Sequence, residues 1–358
     1  MSIGIYNPYL DTMSGGEKYM LSLALALSKE HNVSLFWDPK DKEAIASHAK
    51  ARFDFDLAKL KFTPNIFSKK TSLLQRLQKS KAYDRIIYLS DGSIPFVSCP
   101  LLIHFQTPMQ WVDGHSLKNR FKISRVKKII CNSQFTKSYI DKTFSVKSVV
   151  LYPPVFIPEL NSKIVKENTI LHVGRFGITT SGSSFKKQDV LVKAFKEMVD
   201  QGFNNWQLVL VMSVKKEDLE KAEQFIKETR GYPIKVVINP KNQELWEWYQ
   251  KAKLYWHASG FGEDLASHPD RAEHFGISTV EAMGTGAVPL SFKAGGQPEI
   301  ISDGMDGYLW EDVADLKTKT LELATNQTLY VGLSQSARGK AKLFSEAAFK
   351  KKAEELVI

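Results

Sequence analysis

The sequence predicts an α/β protein built from two doubly wound domains that face each other across a cleft. Short apolar runs alternate with amphipathic helical stretches along the whole chain. A proline pair interrupts that alternation near the middle. The length of 358 residues is too great for one ordinary core and suits two. Strands that alternate with helices imply mainly parallel sheets covered on both faces.

In the first half the strand-like runs are 3–6, 33–37, 85–89, 101–105, 128–131 and 149–151, most of them rich in Ile, Val and aromatic residues. Helix candidates between them include 16–29, 71–79 and 134–141. Tyr152-Pro153-Pro154 then breaks the pattern, and a polar stretch runs to Asn168. Two prolines cannot continue a sheet interior, so this reads as a linker. The alternation restarts with a strand at 169–173 and a helix at 187–199. Further strands are expected at 207–212, 234–238, 254–256 and 287–291, and closing helices near 314–324, 328–343 and 347–356. The division is a first domain over 1–158, a second over 159–343, and a C-terminal segment, 344–358. In such sheets ligands gather at the carboxyl ends of the strands.

Composition narrows the function classes. The charged fraction of 25% is ordinary for a folded chain. No run of about 18 apolar residues is present, so no transmembrane helix is expected. The opening Met-Ser-Ile-Gly-Ile-Tyr reads as a strand without a basic flank, so no signal peptide is expected. Cys99 and Cys131 are the only cysteines, too few for a disulfide framework or a metal site, and a cytoplasmic setting fits. The net charge of +10 is uneven: residues 1–158 hold 23 Lys/Arg against 12 Asp/Glu, and the remainder 26 against 27. A basic half attracts anionic lipid, nucleic acid or a phosphorylated acceptor.

Four motifs carry chemistry. In Glu273-His-Phe-Gly-Ile-Ser-Thr-Val-Glu281, Gly276 ends a loop and Ser278 or a neighbour can cap the helix containing Glu281. Backbone N–H groups from Phe275 through Ile277 to Ser278 would then seat a diphosphate beside Glu273. Glu281, one turn in, can accept bonds from ribose hydroxyls. In Leu171-His-Val-Gly174-Arg175 a strand ends in a guanidinium, and Lys186-Lys187 opens the next helix; a planar fork plus a point charge suits phosphate. Either lysine could be the one that reaches it. Gly15-Gly16 opens the first helix, where backbone can approach a ligand closely. No Gly-x-Gly-x-x-Gly is present, which counts against a dinucleotide dehydrogenase. His104 ends the apolar run 101–105.

The first motif resembles the E-x7-E signature of retaining glycosyltransferases of family four, which have the GT-B architecture of two Rossmann-like domains. It is most similar to members with Glu-His-Phe-Gly-Ile-Ser, including eukaryotic lipid-linked-oligosaccharide mannosyltransferases. The resemblance extends to His257-Ala-Ser-Gly-Phe-Gly-Glu-Asp264 and to Gly295-Gly296-Gln297-Pro298-Glu299-Ile300, and so covers most of the chain. It implies transfer of a sugar, mannose above all, from a GDP- or UDP-linked donor to a hydroxyl of a glycan or lipid-linked acceptor, with retention. Arg175 and Lys186 would neutralise the leaving diphosphate, Glu273 would position the sugar and His104 would approach it from the first domain. Gly15, Gly16, Gly174 and Lys187 join the substrate-binding set. No cofactor and no metal is expected, because two protein cations already cover the diphosphate. Asp54-Phe55-Asp56 is read as surface charge.

The rivals are a nucleotide-sugar epimerase, and a non-catalytic protein holding nucleic acid or membrane with its basic half. The 69–81 and 121–128 stretches suit peripheral contact with an anionic membrane surface, although leucines of one amphipathic helix more often face the core. Nucleic acid is not the expected partner. The acceptor is expected at loops 11–17, 63–72 and 106–115.

Overall fold

The computed structural model describes residues 1–177 and 184–357. The chain forms two compact units, 1–154 with 346–358 and 155–345.

The first unit runs β1 (Ser2–Tyr6), α1 (Gly15–Leu27), β2 (Asn32–Phe36), α2 (Lys42–Phe53), β3 (Lys61–Thr63), α3 (Leu73–Ser80), β4 (Arg85–Leu89), β5 (Leu101–Phe105), α4 (Leu117–Ile123), β6 (Val126–Cys131), α5 (Gln134–Phe144) and β7 (Val149–Val150). The sheet order is β3-β2-β1-β4-β5-β6-β7, with every pairing parallel. The central strands are buried on both faces, as their unbroken apolar runs require. Right-handed crossovers put α1 and α2 on one face and α3, α4 and α5 on the other.

The second unit runs β8 (Glu167–Arg175), α6 (Gln188–Asp200), β9 (Gln207–Ser213), α7 (Leu219–Glu228), β10 (Ile234–Ile238), α8 (Asn242–Lys251), β11 (Ala252–His257), α9 (Ile277–Gly284), β12 (Val288–Phe292), α10 (Gln297–Ile300), β13 (Tyr308–Trp310), α11 (Val313–Thr325) and α12 (Gln327–Ala341). Its sheet is β10-β9-β8-β11-β12-β13, again wholly parallel. In both units, therefore, every strand delivers its carboxyl end to one edge.

The last helix, α13 (Glu346–Val357), belongs to the first unit. Phe349, Ala353, Leu356 and Val357 enter its core beside α1, and Phe349 meets Tyr19 edge-on at 5.5 Å. The sequence reading passes over the short strands β3 and β13, three residues each; a run that brief has no readable period. Most of the Ser/Thr/Gly-rich loop after Arg175 lies outside the described residues. Asp54 and Asp56 hold a turn: Asp54 ends α2 in the left-handed region and pairs with Lys50, and Asp56 accepts from the Ala58 N–H.

Candidate functional site

The carboxyl edge of the second sheet gathers most of the predicted side chains. β8 ends at Arg175, whose guanidinium is exposed and forms no ion pair among the described residues. A side chain added at Gly174 would meet the stem of Lys186 at 3.1 Å. Lys186 Nζ lies 2.6 Å from Glu273 Oε2. His257, the last residue of β11, brings its Nε2 within 3.2 Å of the same oxygen.

Burial works against a charge on Glu273. The Lys186 ammonium and the His257 hydrogen bond outweigh it and hold the carboxyl well below the usual range. Burial lowers His257 in turn, against the pull of Glu273. A neutral His257 donates through Nε2, which leaves its buried Nδ1 without a partner. His172 lies behind, with Nδ1 bonded to the Trp256 carbonyl at 2.9 Å and Nε2 unpartnered. Burial pushes its pKa down to about 3.

Gly276, at φ 115°, is the residue that caps α9. The hydroxyl of Ser278, one of the residues considered for the cap, accepts from Tyr255 at 2.8 Å. Glycine wins the position because a Cβ there would sit 2.2 Å from Gln297 Nε2. Gln297 braces the turn, donating to the Phe275 carbonyl at 3.0 Å and accepting from Thr279 at 3.0 Å. Gly296 N–H donates to the Glu273 carbonyl at 2.7 Å. The first N–H groups of α9, at Ile277 and Ser278, precede its own carbonyl ladder and face outward from its start. Glu281 is buried rather than exposed, and Oε2 accepts from Tyr249 at 2.8 Å.

The two lysines go different ways. Lys187 sits in the left-handed region at the start of α6 and is buried. Its Nζ pairs with Glu263, whose other oxygen takes Arg271 at 2.8 Å. Lys187 and Arg271 together lower the Glu263 pKa. Lys186 is thus the one that reaches Glu273. The sequence reading misses Glu263, Tyr249 and His257 as parts of this site. Only His257 and Glu263 carried a signal, as members of the segment 257–264 with no role attached.

The first unit holds the remaining candidates. The Gly16 carbonyl accepts from Gln106 at 3.2 Å, and Gly15 is exposed at the head of α1. Glu17 ties the turn before it, accepting from the Ser14 N–H at 2.9 Å and Thr12 at 2.8 Å. His104 departs from the expectation that it meets the sugar. Its ring is fully buried and stacked on Tyr19 at 4.4 Å, and burial lowers its pKa to about 3. A strand with both faces covered sends even its last polar side chain inward. A hollow of about 170 Å³ opens nearby, at the carboxyl ends of β1, β4 and β5; Tyr9, Asp91, Gln106 and Trp111 help to line it. Among the described residues, no group of three or more His, Cys, Asp or Glu side chains is placed to hold a metal ion.

Two doubly wound parallel units, with cations and a helix start at one strand edge, define an α/β protein suited to a phosphorylated ligand. The chain belongs to the family of glycosyl transferases group 1, which residues 157–340 match. Over 220 residues it is 27% identical to an uncharacterised glycosyltransferase of Methanocaldococcus jannaschii, covering 61% of this chain and 55% of that one. Over 263 residues it is 25% identical to the GDP-Man:Man(3)GlcNAc(2)-PP-Dol alpha-1,2-mannosyltransferase of Neurospora crassa, covering 62% and 43%. The chain thus spans about half the length of the curated relatives it matches. Among solved structures, Anabaena HepE in complex with UDP superposes with a TM-score of 0.74 at 15% identity over 99% of both chains. The fold is that of the GT-B glycosyltransferases.

Proposed function

We propose that this protein moves a sugar, mannose-type first among candidates, from a GDP- or UDP-sugar to a hydroxyl of a glycan or lipid-linked acceptor, with retention and without a metal. The observation that carries the reading is Lys186 bound to Glu273 beside the start of α9, with Glu281 held on Tyr249 one turn further. An arriving diphosphate competes with Glu273 for Lys186 and draws on Arg175 and the α9 N–H groups. Glu273 is then released to accept from sugar hydroxyls, while Glu281 accepts from the ribose. Cleavage breaks the bond between the anomeric carbon and the phosphate oxygen. Lys186 and Arg175 stabilise the charge that develops there, typically the largest single contribution to such a rate. The acceptor oxygen bonds to the anomeric carbon on the same face and its proton passes to the leaving phosphate, so no protein base is needed. His104 is buried and neutral at neutral pH; it fixes α1, and with it Gly15 and Gly16, through Tyr19. The hollow at Trp111 and Asp91 is the seat for the acceptor.

The test is incubation of the protein with GDP- and UDP-sugars, with and without glycan and polyprenyl-linked acceptors, followed by mass spectrometry. Acceptor-dependent release of nucleoside diphosphate, unchanged by EDTA, is the expected result. Conversion of the donor sugar without any acceptor would indicate an epimerase, and an untouched donor a binding protein.

A further inference from the structure

Helices α3 and α4 contribute almost nothing to the core of the first unit. Ser80 is the single buried residue of α3, and α4 has none. Leu73, Leu74, Leu117 and Phe121 stand in solvent, Leu74 at 79% and Leu117 at 84% exposure. The leucines expected to turn inward from α3 do so only at Leu77, which is half-buried. The two helices share a neighbour. In the connection between β4 and β5, Ser98 N–H donates to Ser80 Oγ at 2.9 Å, and Phe96 lies 6.2 Å from Phe121 under Lys122 and Arg125.

The charge around these apolar tips has one sign. Residues 69–81 contain five Lys/Arg and residues 117–128 contain six, with no Asp or Glu in either. The acid nearest to α4 in sequence, Asp113, is engaged in its own turn by the N–H groups of His115 and Ser116. Because the sheet is wholly parallel, the starts of α3 and α4 both lie at its carboxyl edge. Exposed Trp111 and Tyr9, which line the hollow there, follow β5 and β1 at that same edge.

We infer that this face docks on an anionic lipid bilayer, with Leu73, Leu74, Leu117 and Phe121 entering the headgroup region and the flanking lysines and arginines meeting lipid phosphates. Protruding apolar side chains ringed by cations suit an interface that is apolar below and anionic above. Nucleic acid would use the cations and leave the leucines idle. If the proposed transferase activity holds, the acceptor seat then lies at the membrane surface, where a lipid-linked acceptor resides. The docking itself does not depend on that reading.

The experiment is co-sedimentation of the full chain with phosphatidylcholine vesicles, with and without phosphatidylglycerol. Leu73→Ser with Leu74→Ser, and Leu117→Ser with Phe121→Ser, are measured beside the wild type. All four side chains are exposed, so circular dichroism should show an unchanged fold. The expected result is partition onto anionic vesicles alone, weakened by salt and reduced roughly tenfold or more by either pair. Partition unaffected by both pairs would overturn the inference, because charge alone would then account for it. Partition onto neutral vesicles alone, or onto none, would overturn it as well. So would binding to duplex DNA or RNA that exceeds vesicle binding.

Discussion

At the scale of residues, the proposed chemistry turns on Lys186 and Glu273. Removing one cation that meets developing charge lowers a rate by roughly a hundred- to a thousandfold. Lys186→Ala should therefore lower kcat by about that factor. It also strips Glu273 of its strongest charge partner, so Glu273→Gln in the same chain should restore thermal stability without restoring rate. Enzyme assays beside a melting curve separate the two effects. The histidines make a different prediction. His104 and His172 sit near pKa 3, held down by burial. Below their ordinary value of about 6.5 the unfolded chain takes up protons that the folded chain refuses. Stability then falls with pH by up to about 1.4 kcal/mol per unit for each. Glu273 adds a loss in a lower window: its charged form stabilises the fold above the usual carboxylate pKa, and that contribution disappears as pH falls through its depressed value. His104→Phe keeps the stack on Tyr19 and should flatten the slope of unfolding free energy between about pH 6 and pH 4 by roughly that amount. An unchanged slope in urea titrations would show that His104 is not shielded. Arg175, Lys186, Glu273 and Glu281 each sit in a short motif, so the sequence could single them out as candidates. Tyr249 and His257 were not singled out, since their partners lie 32 and 16 residues away and no local pattern announces such a pairing.

At the scale of elements, the loop before α9 is held from two sides. Gly295 and Gly296 bring backbone against its floor: a Cβ at Gly295 would sit 2.1 Å from the Glu273 carbonyl oxygen. From the other side, Glu263 clasps buried Lys187 at the head of α6 and Arg271 within its own loop. Lys187 is buried and Glu263 only partly so; a buried charge left without its partner costs at most about 3–5 kcal/mol, and less where water reaches the site. Glu263→Ala should therefore destabilise the second unit by an amount within that limit. Glu263→Ala with Lys187→Met should recover most of it, as read by denaturant unfolding. Equal loss in the single and double variants would mean the clasp is not what fixes the loop. Helix and strand positions were mostly readable, since the central strands of both sheets are unbroken apolar runs. The sequence left the cap of α9 open between Ser278 and a neighbour, and the packing of Gln297 shows why Gly276 takes the position.

At the scale of the whole molecule, each unit owns its core, and the chain returns to the first through α13. The sequence division was set at 158/159, after the proline pair; the two compact units divide at 154/155. Deleting residues 346–358 uncovers Leu27, Tyr19 and their neighbours along α1. A buried Phe or Leu contributes about 1.5–3 kcal/mol, so the truncated chain should lose the melting transition of the first unit at a lower temperature while the second keeps its own. The charge asymmetry was plain in the sequence, whereas the exposure of Leu74 and Leu117 was not, because it follows from packing. The central claim is that the second unit binds a nucleotide-sugar through Lys186 and Glu281. Isothermal titration of GDP-, UDP- and ADP-sugars into the wild type, Lys186→Ala and Glu281→Ala tests it most directly. One nucleotide family should bind the wild type and bind both variants at least roughly tenfold more weakly. Equal affinity in all three proteins, or no binding of any nucleotide-sugar to the wild type, would contradict it.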